Sequence, residues 1–229
     1  MYTKEQIAKT IDHAVLKPNL TTEDIIAGCK LGKEYGVASV CVRPTDVPVA
    51  KKELDGSDVM VSVVAGFPHG SNRSEVKALE SKLAIEDGAV EIDMVMNVGQ
   101  FLSGNYDFVQ KDIETVVAEA KPHNVLVKVI METCYLSHEQ IAKACKLAEA
   151  AGADYVKTST GFGDGPATPE VIDIMMKTVG NTMGVKASGG VRTYETAVGY
   201  LDQGCKRLGV GSTKAVLDGA NDREDNGGY

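Results

Sequence analysis

Residues 125–159 read VLVKVIMETCYLSHEQIAKACKLAEAAGADYVKTS and contain one complete strand–helix–strand unit. Residues 125–131 are apolar apart from Lys128, and residues 154–159 place Tyr155 and Val156 before Lys157. Between them, Ser137 and Gln140 have the spacing of a capping box, in which each side chain satisfies a backbone N–H at a helix start. Gly152 supplies the stop, because glycine readily takes the left-handed conformation that closes helices. The same alternation continues in both directions. Strands are predicted at residues 12–16, 37–42, 59–65, 90–96, 125–131, 154–159, 184–187 and 207–210. Most are continuously apolar except for single polar residues, the pattern of parallel strands buried on both faces. Thr168 followed by Pro169 opens one intervening helix, and Thr193 and Gly204 bound the next. Asn72 and Glu75 open the helix that carries Val76, Leu79 and Leu83. Eight such repeats predict a single (β/α)8 TIM barrel over residues 1–218. A doubly wound open sheet is the alternative, but no GxGxxG loop follows the first strand. Residues 219–229, GANDREDNGGY, form a polar tail expected to be mobile.

Composition removes several classes of function. Twenty-four basic residues against 32 acidic ones leave a net charge of −8, a poor basis for binding nucleic acid. An anionic substrate must therefore be held by a locally built site and not by the overall field. The chain has no apolar run of about 18 residues, so no membrane span is expected, and the opening MYTKEQIAKTIDH has no signal-peptide character, which points to the cytoplasm. Five cysteines, an odd number without a CxxC pair, read as free thiols in a reducing compartment. The four histidines show no HxH or HxxxH spacing, so no metal site is expected.

Lysine stands where an apolar residue belongs in three consecutive strands: Lys128 in VKVIMET, Lys157 in YVKTSTGF and Lys186 in VKASGGVR. Asp93 does the same in EIDMVMN, on the strand before them. One such lysine would read as a strand-end residue reaching for solvent. Three together, preceded by a carboxylate, read as a cluster on the barrel axis near the C-terminal mouth, where such barrels do chemistry. At ~7 Å and an effective dielectric of ~20, two ammonium groups repel by about 2 kcal/mol, enough to depress one pKa by more than about one unit. Desolvation acts in the same direction. A neutral amine able to attack a carbonyl results, with Asp93 as proton relay, as a salt-bridge partner of Lys128 or Lys186, or as both. Glycine-rich loops follow the last two strands: Ser188, Gly189, Gly190 and Val191 with Arg192, then Gly209, Gly211 and Ser212 with Thr213. Loops at these positions of a barrel frequently bind phosphate, and Gly161 in the Gly161-Phe162-Gly163 loop is a further expected wall.

At these residues the chain resembles the deoxyribose-phosphate aldolases, a class I aldolase family. The resemblance runs from about Ile11 to Gly219 through IDHAVLKP, VCVRP, GFPHG, EVKALESKLAIEDGAVEIDMV, VKVIMET, ADYVKTSTGF, VKASGGVRT and RLGVGST. It implies Lys157 as the Schiff-base lysine, Lys186 as the second lysine that tunes it and shuttles protons, and Asp93 as the acid/base partner. Lys128 corresponds to a lysine that lines the site without forming the imine. The loops at 188–191 and 209–213 correspond to a phosphate cradle. The implied reaction is reversible cleavage of 2-deoxy-D-ribose 5-phosphate to acetaldehyde and D-glyceraldehyde 3-phosphate. The resemblance also implies sugar-phosphate and aldehyde substrates, no cofactor or metal, and a homodimer or homotetramer. Two departures, Ala14 where threonine is usual and Arg43 where asparagine is usual, fall near the expected substrate end and bear on substrate preference. Tyr229, the last residue, resembles tail tyrosines that fold back over the mouth to move a proton; the plainer alternative is a disordered end. A transaldolase-like Schiff-base barrel and a catalytically dead sugar-phosphate-binding barrel are the competing readings.

Overall fold

Short apolar runs between capped helices close into a barrel. The computed structural model describes residues 2–219, so Tyr229 and most of the predicted tail lie outside the described residues. The strands are β1 (Ile11–Val15), β2 (Ser39–Val42), β3 (Met60–Ala65), β4 (Glu91–Val95), β5 (Leu126–Ile130), β6 (Tyr155–Lys157), β7 (Gly184–Ser188) and β8 (Arg207–Val210). They pair in parallel and in chain order, and β8 returns to β1. The helices are α1 (Lys4–Ala8), α2 (Thr22–Tyr35), α3 (Val47–Glu53), α4 (Ser74–Glu86), α5 (Val98–Leu102), α6 (Tyr106–Ala120), α7 (His138–Ala150), α8 (Pro169–Val179), α9 (Tyr194–Asp202) and α10 (Thr213–Asp218). Every predicted strand has its counterpart, and the fold is the predicted (β/α)8 barrel.

Local chemistry sets most helix starts as read. Ser137 and Gln140 cap α7 reciprocally, and the hydroxyls of Thr168 and Thr193 accept the third backbone N–H of α8 and α9. Helix α4 differs. It begins at Ser74, and Arg73, not Asn72, occupies the cap position without a side-chain bond. The Ser74 hydroxyl instead donates to Asp112 of α6 at 2.7 Å. The rotation of α4 is also not that of an apolar stripe facing inward. Val76, Leu79 and Leu83 are exposed at 48%, 56% and 50%, and Lys77, Ser81 and Ala84 are buried. The reason is an ion pair. Lys77 Nζ donates to Asp112 at 2.5 Å and to the Val95 carbonyl at 2.9 Å, and separating buried partners of this kind typically costs about 3–5 kcal/mol.

Period-two alternation divides each strand between two environments. Val40, Val63, Ile92, Met94, Val127, Val129, Val156, Val185 and Leu208 belong to the large apolar core between strands and helices. The alternate positions meet at the axis, where Leu16, Cys41 and Val64 form a separate small cluster with Ala14 and Phe67. Other axial positions carry charged residues, with Ser39 and Ser62 beside them.

Candidate active site

The strand register places the charged residues side by side. Asp93 of β4 is opposite Lys128 of β5, Lys157 of β6 is opposite Lys186 of β7, and Lys186 is opposite Arg207 of β8. With neighbouring parallel strands only ~4.8 Å apart, inward side chains at matched positions share one volume. Asp93 Oδ2 accepts from Lys157 Nζ at 2.8 Å and from Lys186 Nζ at 2.7 Å. The two lysine nitrogens therefore converge on a single oxygen, on the same side of the barrel wall. Asp93 Oδ1 accepts from Lys128 Nζ at 2.9 Å. Lys128 also bonds to Glu91 at 2.6 Å and lies 3.2 Å from Asp12.

The cluster is larger than the sequence reading foresaw. Asp12 of β1 accepts from Lys186 and Arg207, and from the Ser39 hydroxyl at 2.7 Å. Arg207 grips Glu91 with both terminal nitrogens, at 2.9 and 2.5 Å. Asp12, Glu91, Asp93, Lys128, Lys157 and Lys186 are each at most 1% exposed. Burial alone would push the Asp93 carboxyl up, but the charges of Lys128, Lys157 and Lys186 outweigh it and hold the pKa well below the ordinary value. Burial likewise opposes charge on Lys128, yet Asp12, Asp93 and Glu91 hold its pKa well above that of an ordinary lysine. Asp12 follows Asp93: burial is overcome by Lys128, Lys186 and Arg207, and its pKa is lowered.

A cleft of about 270 Å³ lies between the loops that follow β6 and β7, lined by Gly161, Gly163, Asp164, Gly165, Gly189, Gly190 and Arg192. Gly189 and Gly190 have φ of +80° and +78°, a region that glycine enters without penalty. A Cβ on Gly190 would come within 2.9 Å of Pro166. Not every expected phosphate residue faces this cleft. The Ser188 hydroxyl donates to the Ser159 carbonyl at 2.5 Å, and its N–H donates to Thr158 at 3.0 Å, so both tie β7 to the β6 loop. Val191 is buried in the apolar core. Gly209 lies within β8, where a Cβ would meet that of Ser188 at 2.7 Å. Gly211 lines a neighbouring pocket with His13, Ala14 and Leu16, and Ser212 is the cap residue of α10.

Of the two departures, Ala14 packs at the small apolar cluster in the mouth. The Arg43 guanidinium turns away from the axis. It binds Asp46 at 2.5 Å and the carbonyls of Lys17, Pro18 and Leu20 at 3.1–3.3 Å, pinning the loop after β1. His13, on the opposite face of β1 from Asp12, is also buried. Its Nδ1 is 2.9 Å from the Thr213 hydroxyl, and burial lowers its pKa to about 4 against a hydrogen bond with the Val210 backbone.

Residues 6–210 match the family model described as DeoC/LacD family aldolase. The chain is 51% identical over 220 residues to the deoxyribose-phosphate aldolase of Thermococcus gammatolerans, covering 95% of this chain and 98% of the relative. It is 52% identical over 221 residues to that of Clostridium novyi, covering 96% and 98%. Among solved structures, the tetrameric deoxyribose phosphate aldolase of Aeropyrum pernix superposes with a TM-score of 0.88 at 30% identity, covering 94% of this chain and 91% of that one.

Proposed function

The chain belongs to the DeoC/LacD aldolase family, and on that premise we propose that it is an aldehyde-lyase that cleaves 2-deoxy-D-ribose 5-phosphate through an imine on Lys157. The observation that carries the mechanism is a shared acceptor. Lys157 Nζ and Lys186 Nζ both donate to Oδ2 of Asp93, so two lysine side chains share one buried volume. Repulsion between neighbouring cations lowers the cost of the neutral amine that imine formation needs, and the family resemblance assigns the imine to Lys157.

The steps follow. Neutral Lys157 adds to the C1 aldehyde of the open-chain sugar, and loss of water leaves an iminium. The C3 hydroxyl gives its proton to a base, the C2–C3 bond breaks, and its electron pair flows into the iminium. This yields glyceraldehyde 3-phosphate and an enamine. Protonation of the enamine carbon and hydrolysis release acetaldehyde and regenerate the amine. Asp93 Oδ2, bonded to both Lys157 and Lys186, connects the reacting nitrogen to the second lysine for these transfers. Gly161, Gly189 and Gly190 offer backbone to the phosphate, and Arg192 adds charge.

Incubation with acetaldehyde and borohydride is expected to leave a stable ethyl group on Lys157, read by peptide mass spectrometry. An unmodified protein, as a mere sugar-phosphate-binding barrel would give, overturns the proposal. Acetaldehyde accepted as donor in place of dihydroxyacetone separates it from a transaldolase-like activity.

We also infer self-association through α4. Val76, Leu79 and Leu83 form an exposed apolar stripe, and the Aeropyrum relative is tetrameric. Leu79→Glu is expected to lower the mass measured by sedimentation; an unchanged mass removes α4 from the interface. The free thiols of Cys29, Cys41, Cys134, Cys145 and Cys205 support a reducing, cytoplasmic location.

A further inference from the structure

Glu132 lies just beyond β5 with φ +50° and ψ +63°, and it is 4% exposed. A non-glycine residue in this left-handed region costs on the order of 1–3 kcal/mol, and such outliers persist only where the surroundings impose them. A buried carboxylate adds a desolvation penalty. What both achieve is visible in the partners. One carboxylate oxygen accepts the Thr160 N–H at 3.1 Å, and the other accepts the Thr160 hydroxyl. The same hydroxyl oxygen accepts the Phe162 N–H at 3.0 Å. Gly163 completes the seat: a Cβ there would meet the Glu132 carboxyl carbon at 3.0 Å. One side chain just after β5 thus fixes residues 160–163, three to six positions after Lys157. Gly161 and Gly163 of this segment line the cleft assigned to phosphate.

We propose that Glu132 is a positioning residue for substrate binding: it holds the loop after β6 so that the Gly161–Gly163 wall is preformed for the sugar phosphate. The hydrogen bonds of the Glu132 carboxylate go to Thr160 and not to the lysine cluster. Its effect passes through Thr160. Preformed backbone donors bind an anion without an ordering cost at the moment of binding, so loss of the hold is felt in affinity and not in the chemical steps. This inference rests on the proposed phosphate role of the cleft.

The test compares 2-deoxy-D-ribose 5-phosphate with unphosphorylated 2-deoxy-D-ribose, alongside borohydride trapping of acetaldehyde on Lys157. For Glu132→Ala, KM for the phosphorylated sugar is expected to rise about tenfold, the size of one lost charge-assisted hydrogen bond. The value of kcat/KM for the free sugar and the trapping yield are expected to stay within about twofold. Thr160→Val is expected to reproduce the effect, and the double variant to add little to either single one. Glu132→Gln, which keeps an acceptor for the Thr160 N–H, is expected to recover part of the loss. Equal losses on both sugars, or loss of trapping, would show a general collapse of the site and overturn the inference. So would an unchanged preference for the phosphorylated sugar in Glu132→Ala. A parent enzyme that itself shows no such preference refutes the phosphate reading of the cleft, and the inference with it.

Discussion

Lys157→Ala is expected to lower kcat by at least about a thousandfold, since no other group at the site takes over a covalent step. The borohydride-trapped adduct should disappear with it. Asp93 keeps Lys128 and Lys186 as donors in this variant, but deleting a member of a buried ion pair commonly costs ~3–5 kcal/mol, so a melting temperature several degrees below the parent is expected. Near-normal turnover would remove Lys157 from the mechanism.

Lys128→Met tests the electrostatics of the cluster from the other side. Methionine fills similar space without charge. The change removes a cation that shares Asp93 with Lys157, so the neutral amine needed for attack becomes harder to obtain. The sign follows directly. A lysine whose charged form is favoured has a higher pKa, and activity that needs the neutral form moves to higher pH. The rising limb of the kcat profile should shift upward by about one to two units, giving a ~10- to 100-fold loss at pH 7 that is largely regained near pH 9. Lys128→Arg restores the charge and should bring the limb back down. A loss of equal size at every pH would show that Lys128 acts only through packing.

The barrel and the heart of the site were legible in the chain because each rests on a short-range signal. Apolar runs and caps recur at every strand–helix unit, and a lysine interrupting a buried strand has few places to go. Asp12, Glu91 and Arg207 were missed for a different reason. All three sit at or near strand starts, where polar residues are unremarkable. The signal was nonetheless present: counting two residues back from Asp93 puts Glu91 on the axial face, and Arg207 starts the strand beside Lys186. Glu132 carries no pattern at all, since its left-handed backbone is set by contacts to a loop 28 residues away. Helix α4 turns its apolar residues Val76, Leu79 and Leu83 outward, and only the pairing of Lys77 with Asp112 of α6 reveals which side turns inward. In the loops read as a phosphate cradle, Ser188 and Gly209 pack at the junction between strands and Val191 packs in the apolar core, contacts that no local pattern announces.

The network draws its members from six strands, and Asp12 meets Arg207 across 195 positions of chain. During synthesis the acidic partners on β1 and β4 emerge first, and the last cation only with β8. Until then Lys157 is an ordinary solvated ammonium, inert towards the cell's aldehydes. On the proposed mechanism its nucleophilicity belongs to the finished ring of strands, so a truncated or unravelled copy is not expected to acquire adducts by that route.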